Sequence, residues 1–481
     1  MNETRSSNFS VRLLQFIIPN STFIILLASC SVQKQIAKSA KENVLNTAAL
    51  QTAHVGISMY EPETNKYWFN YQGDKYFVPA SNTKIPTCYA ALKYLGDSLV
   101  GVRYEYYDDS TITIFPTGDP TLLHEDFKNQ PVVDFLKNDK KSFYLFNSNW
   151  NETALGSGWS WNDYNADYMA ERSAFPVAGN LIKIKLESYN YELHKNNRRS
   201  IRLNWMITPK YFKGSINDFF ILPFKEAALR IMQDSVIEKT SLQKFFIRRN
   251  WGDNSLSLIY GNSRFVSDEI PFHTNNDSTA TDILKNDYSI NIQLQRRIKY
   301  YDPPVPPFII HSQPTDSLLK PMMHRSDNFF AEQSLLMVSN ERLGVMNDEK
   351  IIDTLLKTDF KDLPQKPRWV DGSGLSRYNL FTPQDFVAIL SKMKNEFGME
   401  RIKVIFPTGG EGTISSYYKN ENGYLYAKTG TLSGVVSLSG YLFTKKNKLL
   451  IFSILVNNHQ SSATDVRRAV EKFVQGIRNK Y

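Results

Sequence analysis

The sequence is poor in cysteine and lacks a long uninterrupted apolar run. Its 481 residues include only two cysteines, Cys30 and Cys88, and Cys88 is expected to be a buried packing residue. The most apolar N-terminal stretch is interrupted at Pro19-Asn20-Ser21. This disfavours an ordinary spanning helix, which needs roughly 20 continuous apolar residues. The seven histidines show no metal-ligand spacing, so neither a metal nor another cofactor is expected.

The charge balance is basic but carries no nucleic-acid signature. The formal net charge is +9, and the basic clusters include Arg198-Arg199 and Arg248-Arg249. None of these clusters forms a nucleic-acid-binding motif, so nucleic acid is not expected as a partner. The excess is interpreted either as an ordinary solvated surface or as a mild attraction to anionic polymers.

The N-terminus has the pattern of an export signal. Basic residues at Arg5 and Arg12 precede the apolar stretch Phe23 to Cys30, and Leu27-Ala28-Ser29-Cys30 resembles the lipobox of bacterial lipoproteins. We therefore predict a signal peptide over 1–29, a lipid on Cys30 and a tether over 30–52. The protein would then be a periplasmic lipoprotein anchored to the outer membrane of a Gram-negative-type bacterium. The alternatives are a short membrane anchor or a signal with a chance cysteine, and a first helix in place of the tether.

Lipidation of Cys30 would also decide whether a disulfide can form. Cys88 would then have no partner, so no intramolecular disulfide is expected, and the prediction of export depends on the signal rather than on cysteine usage.

The composition describes an ordinary soluble protein of two or three domains, with 42% hydrophobic and 22% charged residues. The segments 55–60 and 67–71 predict a strand pair, and a helix follows. A hairpin over 435–456 and an amphipathic helix end the chain. The pattern of predicted strands and helices changes near 101, 186, 264 and 300, and the proline-rich stretch 301–307 is interpreted as a domain boundary.

The segment Ser81-Asn82-Thr83-Lys84 places a serine and a lysine three residues apart at the expected start of a helix. Residues at i and i+3 share a helix face, so hydroxyl and amine can meet. A serine becomes a good nucleophile when a base takes its proton, and a lysine of lowered pKa can be that base. The spacing recurs elsewhere by chance, but here an apolar stripe follows, formed by Ile85, Cys88, Leu92 and Leu95. Pro86 would disfavour a helix interior at this point, because proline has no backbone N–H to donate.

Two further motifs follow Ser81-x-x-Lys84 in chain order, namely Ser326-Asp327-Asn328 and Lys428-Thr429-Gly430. This set is found in class A β-lactamases and penicillin-binding proteins. Ser81 would attack a carbonyl and form an acyl-enzyme, with Lys84 as base. Their predicted partners are Ser326 as proton relay, Asn328 as a ligand of Lys84 and of a substrate amide, Lys428 and Thr429 as holders of a terminal carboxylate, and the N–H groups of Ser81 and Thr431 as oxyanion hole.

The motifs together resemble those of the class C low-molecular-mass penicillin-binding proteins, the D-alanyl-D-alanine carboxypeptidase/endopeptidase family. The resemblance spans about residues 53–475, and its most specific stretch is Asp371-Gly372-Ser373-Gly374-Leu375-Ser376-Arg377. The long interval between Ser81 and Ser326 separates this family from compact β-lactamases. A peptide is expected to add as a further strand at the edge strand 426–431.

The fold that this resemblance implies is α/β (α+β), with nested inserted domains. A penicillin-binding/β-lactamase-like transpeptidase domain, an antiparallel sheet flanked by helices, would occupy 53–98 and 301–481. An inserted α/β domain II would cover 99–185 and 265–300, and a nested β-rich domain III would cover 186–264.

The activity implied is that of a serine D-alanyl-D-alanine carboxypeptidase/endopeptidase. It would act on peptidoglycan stem peptides and crosslinks, and β-lactams would be covalent inhibitors. Two alternatives stay open from the sequence: a serine β-lactamase or esterase on the same fold, and a non-catalytic cell-wall-binding lipoprotein.

Overall fold

The computed structural model describes residues 32–193, 199–215, 219–221, 245–260, 268–295 and 308–481. The predicted signal peptide, the lipidation site Cys30 and the proline-rich stretch 301–307 lie outside these ranges. Among the helices within them, none combines the length and the apolar character needed to cross a membrane.

The described chain alternates strands and helices. The strands are β1 (His54–Glu61), β2 (Lys66–Tyr71), β3 (Ser98–Asp108), β4 (Thr111–Pro116), β5 (Ser142–Leu145), β6 (Leu181–Leu193), β7 (Arg199–Thr208), β8 (Phe219–Ile221), β9 (Phe245–Arg249), β10 (Leu256–Tyr260), β11 (Asp268–Pro271), β12 (Ile292–Leu294), β13 (Phe308–Pro314), β14 (Leu425–Leu432), β15 (Val435–Phe443) and β16 (Leu449–Asn457). The helices are α1 (32–40), α2 (Lys84–Tyr94), α3 (Pro131–Asn138), α4 (Ser278–Tyr288), α5 (Thr315–His324), α6 (Asn328–Leu343), α7 (Asp348–Lys357), α8 (Pro383–Ile405) and α9 (Ala463–Lys480).

Strands from both ends of the chain form one antiparallel sheet, called the terminal sheet here, in the order β14-β15-β16-β1-β2. The apolar runs of β15 and β16 are buried almost throughout, because one sheet face packs on α1 and α9 and the other on α2 and α8. The predicted hairpin over 435–456 and the predicted edge strand near 426–431 are both confirmed. The sheet of the implied fold, flanked by helices, is therefore present.

The predicted tether over 30–52 is corrected by the structure from residue 32 onward. Residues 32–40 form α1, and a π-helical turn continues it over Lys41–Leu45. Ile36, Ala40 and Val44 recur every four residues and are fully buried in the core that also contains residues of α9. This apolar stripe stabilises a helix, so the alternative of a first helix is the one observed.

Residues 98–314, called the inserted region here, lie between α2 and α5 and build their own sheets. A mixed sheet has the order β12-β5-β4-β3-β13, with β5 parallel to both neighbours. An antiparallel sheet of order β11-β6-β7-β8 and the hairpin of β9 and β10 complete the region. A separate apolar core joins the mixed sheet, α3 and α4. The antiparallel sheet begins at Leu181 and ends at Pro271, so it reaches beyond the interval 186–264; the domain borders stay predictions.

Candidate active site

Ser81 lies in a single 3₁₀ turn, Ala80–Thr83, that leads directly into α2. All four residues of the predicted apolar stripe of α2 are buried. Pro86 is the third residue of α2, in the first turn, where a missing N–H removes no intrahelical hydrogen bond. Pro86 therefore does not disrupt the helix, and the helix holds Ser81 at its N-terminal end as predicted.

Lys84 is fully buried and donates three hydrogen bonds to uncharged oxygens. The acceptors are Ser81 Oγ at 3.0 Å, Asn328 Oδ1 at 2.7 Å and the Ser373 carbonyl at 2.8 Å. Burial lowers the pKa of Lys84 from 10.5 to about 8, although the charges of Asp371, Glu332 and Asp327 oppose this shift. A fraction of Lys84 is thus neutral near pH 7 and able to accept the Ser81 proton.

Ser326 and Lys428 form a second pair beside the first. Ser326 stands between α5 and α6 with a left-handed φ of 65°, and the next residue, Asp327, caps α6 by accepting from Phe330 N at 2.9 Å. The buried Lys428 Nζ donates to Ser326 Oγ and to the Thr429 carbonyl, both at 2.8 Å. Burial, and then the charge of Lys84, hold the pKa of Lys428 well below its usual value. The strained Ser326 backbone fits a position selected for function rather than for stability.

Strand β14 passes directly over the Ser81 turn. A Cβ at Gly430 would lie 2.2 Å from Ser437 Oγ, 2.6 Å from the Pro79 carbonyl and 2.9 Å from Ser81 N, so only glycine allows this approach. The Thr429 hydroxyl donates to Thr413 Oγ1 at 2.7 Å. The predicted binding residues Thr429, Gly430 and Thr431 are therefore brought to Ser81 on an edge strand that an extended peptide can join.

The loop 371–379 supplies contacts that the sequence interpretation did not assign. The Asp371 carboxylate accepts from Gly374 N at 2.8 Å, Ser376 N at 2.7 Å and Asn379 Nδ2 at 2.7 Å. This folds the loop so that the Ser373 carbonyl faces Lys84. A Cβ at Gly374, whose φ is 84°, would lie 2.0 Å from the Ala80 carbonyl. The stretch 371–377 is the most specific part of the resemblance, but a sequence motif does not reveal which way a carbonyl points.

A cavity of about 610 Å³ opens onto Ser81. One wall comes from the inserted region, with Gly158, Asp163 and Tyr168, and the other carries Arg377 and Thr431. Asn328, which binds Lys84 through its oxygen, donates from Nδ2 to the Tyr168 carbonyl at 3.0 Å. Of the predicted residues, Ser81, Asn328 and Thr431 line this cavity, and the buried Lys84 is bonded to Ser81 and Asn328. Ser326 and Lys428 are bonded to each other, and the catalytic roles of all these residues stay predictions.

A serine at a helix start, a buried lysine of lowered pKa and an edge strand on a helix-flanked antiparallel sheet define a serine acyl-transfer enzyme of the penicillin-binding type. The model of the D-Ala-D-Ala carboxypeptidase 3 (S13) family matches residues 36–198 and 240–477. The chain therefore belongs to this family, and it is a low-molecular-mass penicillin-binding protein with the activity of a serine DD-carboxypeptidase, a hydrolase.

Individual relatives agree with this assignment. The chain is 23% identical over 473 residues to the D-alanyl-D-alanine carboxypeptidase DacB of Haemophilus influenzae, covering 89% of this chain and 90% of that protein. It is 37% identical over 101 residues to the D-alanyl-D-alanine carboxypeptidase of Actinomadura sp. strain R39, covering 19% of each. The crystal structure of penicillin-binding protein 4 from H. influenzae matches with a TM-score of 0.66 at 20% identity, over 92% of this chain and 98% of that chain. The likeness between the structures confirms the fold implied by the sequence.

Proposed function

We propose that the protein hydrolyses the terminal D-alanyl-D-alanine bond of peptidoglycan stem peptides, and crosslinks between them, through an acyl-enzyme on Ser81. The observation that carries this proposal is Lys84, which lies 3.0 Å from Ser81 Oγ with only uncharged hydrogen-bond acceptors. A lysine with a pKa of about 8 can accept a proton near neutral pH and return it. Ion-paired lysines lack this property.

In the proposed mechanism the neutral Lys84 takes the Ser81 proton while Oγ attacks the carbonyl carbon. The carbonyl oxygen becomes negative and would be held by the N–H groups of Ser81 and Thr431, a role that the close approach of Gly430 to Ser81 N supports. The C–N bond then breaks, and Ser326 relays to the leaving amine the proton that Lys84 took from Ser81. Lys428 holds the Ser326 hydroxyl in place for this transfer. Water later attacks the ester and restores Ser81.

The substrate would bind as an extended chain along β14. Its terminal carboxylate would meet Thr429 and the positive charge of Lys428, while its preceding residues enter the cavity beside Arg377. A β-lactam would enter in the same way, because it carries a carboxylate beside a strained amide. The crystal structure of the H. influenzae protein in complex with a β-lactam supports β-lactams as ligands of this protein.

The primary test is labelling with a fluorescent penicillin. Wild-type protein is expected to form a stable covalent adduct, and Ser81→Ala to form none. Ser317→Ala is a matched control, because Ser317 and Lys320 form an S-x-x-K pair on α5 and both are exposed. Loss of labelling in the control, or its retention in Ser81→Ala, would contradict the assignment of the nucleophile.

A second experiment separates the possible reactions. The protein is incubated with crosslinked muropeptides, and the products are weighed by mass spectrometry. Loss of one D-alanine indicates carboxypeptidase activity, and splitting of a dimer indicates endopeptidase activity. Rapid release of the penicilloyl group, with neither product, would favour a β-lactamase on the same fold.

Export and membrane attachment are also part of the proposal. The basic start and the segment Leu27-Ala28-Ser29-Cys30 support a lipidated Cys30. Helix α1 is described from residue 32 onward and packs on α9, so a lipid at Cys30 would hold the folded body close to the membrane. The protein would then lie in the periplasm on the outer membrane. Cys30→Ser should move it from the membrane fraction to the soluble fraction, and unchanged fractionation would refute the anchor.

A further inference from the structure

A buried arginine of the inserted region stands at the head of a chain of contacts that ends on Lys84. Arg172 is fully buried, and its Nη1 lies 2.6 Å from Asp348 Oδ2 and 3.4 Å from Glu332 Oε2. Its Nη2 lies 3.1 Å from Glu152 Oε1. The guanidinium thus gathers three carboxylates, one from its own region, one from α6 and one from α7.

Glu332 uses its two oxygens for two different partners. Oε2 faces Arg172, and Oε1 accepts from Ser373 N at 2.7 Å. The carbonyl of the same Ser373 accepts from Lys84 Nζ at 2.8 Å. One residue is therefore held at its N–H by Glu332 and presents its carbonyl to the proposed base.

We propose that Arg172 and Glu332 are positioning residues that hold the Ser373 carbonyl on Lys84, so that the inserted region takes part in acyl transfer. This inference rests on the proposed function of Ser81 and Lys84. If the Ser373 carbonyl shifted by about 1 Å, Lys84 Nζ would no longer be aligned with Ser81 Oγ. Such displacements can lower a reaction rate by about 100-fold.

The packing around the loop supports a rigid link. A Cβ at Gly372 would lie 2.7 Å from the Ala331 carbonyl, so the loop lies directly against the backbone of α6. On its other side the loop is bound by Trp159 of the inserted region, whose Nε1 donates to Asp371 Oδ2 at 3.1 Å. The Arg172 guanidinium lies 5.6 Å from the centre of the Trp159 ring. Trp159 thus holds the loop directly, and Arg172 holds it through Glu332.

The charges around these contacts determine whether the loss of Glu332 raises or lowers the pKa of Lys84. Asp371, Glu332 and Asp327 favour the charged form of Lys84, whereas burial and the charge of Lys84 lower the pKa of the neighbouring Lys428. Burial and the charge of Asp371, together with Asp348, raise the pKa of Glu332 to about 7, and Arg172 opposes this rise. Loss of the Glu332 charge should therefore lower the pKa of Lys84, while loss of its hydrogen bond should displace the Ser373 carbonyl.

The test measures acylation by a fluorescent penicillin between pH 5.5 and 9.5 (chosen to span the values about 7 and about 8). Glu332→Gln should lower the saturating acylation rate by about tenfold to about 100-fold, with little change in penicillin affinity. The midpoint of the rise in rate should move to lower pH. The double variant Arg172→Met/Glu332→Gln should lose at most about threefold more than the worse single variant, because both act through one carbonyl.

Glu341→Gln is the matched control. Glu341 also lies on α6 and forms a bidentate pair with Arg103 of the inserted region, at 2.9 Å and 2.8 Å, but in the part of the chain that the structure describes no series of contacts joins it to Lys84. Its acylation rate and midpoint should equal those of the wild type. If Glu332→Gln does not fold, Arg172→Lys carries the test, because it keeps the charge but loses the planar fork; folded Arg172→Lys should lose about tenfold in rate.

The outcomes separate this inference from the function on which it rests. An unlabelled wild type would refute the proposed function itself. A labelled wild type with a folded Glu332→Gln, or a folded Arg172→Lys, that is acylated at the wild-type rate and midpoint would overturn the positioning role. A lower rate in Glu341→Gln of the same size as in Glu332→Gln would also overturn it, since any ion pair between α6 and the inserted region would then suffice.

Discussion

The reaction centre around Ser81 and the inserted region each bury two basic side chains among the described residues, but the two regions give these side chains opposite kinds of partner. Lys84 and Lys428 of the reaction centre donate to hydroxyl, amide and carbonyl oxygens, and no ion pair joins them to a carboxylate among the residues that the structure describes. Arg172 and Arg249 of the inserted region each contact at least one carboxylate, with Glu171 at 3.2 Å from Arg249. The side chains of all four cations are equally hidden from water.

The difference shows how one kind of burial produces two kinds of function. Without a carboxylate, burial favours the neutral form of a lysine and makes its proton exchangeable. With carboxylates, an arginine stays charged, because its intrinsic pKa is too high for burial to overcome. The inserted region thus provides fixed charges, and the reaction centre provides charges that can change during the reaction.

The largest expected loss of activity comes from replacing Lys84 by a side chain that stays charged when buried. Lys84→Arg places a permanent cation beside Ser81, so no base remains to take the proton. Acylation by penicillin should fall by at least about 1,000-fold, measured by stopped-flow labelling. Near-normal acylation in this variant would show that Lys84 is not the base.

The pH dependence sharpens the same contrast. Because the pKa of Lys84 is about 8, its neutral fraction grows about tenfold per pH unit below that value, so acylation should rise with pH and level off above it. An unfolded Lys84 would bind more protons between pH 8 and 10.5. The stability of the wild type relative to Lys84→Met should therefore increase with pH through that window. A rate that is flat from pH 6 to 9 would contradict the lowered pKa.

Arg249→Met tests whether the second arginine is only structural. Arg249 Nε donates to the Tyr164 carbonyl at 2.9 Å and Nη1 contacts Glu171, but no contact within the described ranges links it to Lys84. The free energy of unfolding should fall by about 2 to 4 kcal/mol, measured by urea denaturation. The acylation rate of the folded fraction should not change, and a slower rate would extend the influence of the inserted region beyond Arg172.

The smallest effect is expected for Trp159→Phe. It removes the indole donor to Asp371 but leaves the three other donors of that carboxylate in place. The expected loss is about 1 kcal/mol of stability and less than about tenfold in acylation rate. A larger loss of rate than in Glu332→Gln would place the main link from the inserted region at Trp159 instead of Arg172.

Much of the site could be predicted from the sequence, because its chemistry lies in short motifs. Ser81 and Lys84 share a helix face, and the strand of Lys428 and the helix after Ser326 have clear periodicities. The meeting of these motifs could be predicted only through the resemblance, since nothing local connects Ser81 with Ser326 or Lys428.

Contacts made by backbone groups and by dispersed charges could not be predicted. The role of Ser373 depends on the direction of one carbonyl, which the Asp371 loop sets through tertiary hydrogen bonds. Arg172 and Glu332 belong to no motif, and their partnership requires the inserted region to be packed on α6. The polar composition of residues 32–45 left a tether and a first helix both open, because only Ile36, Ala40 and Val44 form the buried stripe of this segment.

The pairing of β1 with β16 has a consequence for how the enzyme is made. His54 faces Asn457 and Ile57 faces Ile454, so the sheet joins the beginning of the folded chain to its end. Contacts of such high sequence separation form late, because a long loop must close before they are gained. During synthesis the inserted region can already pair β3 with β4 and β6 with β7, which are near neighbours in the chain, whereas the sheet beside Ser81 is completed only by the last strands. A chain that stops before β14 therefore cannot cleave the wall.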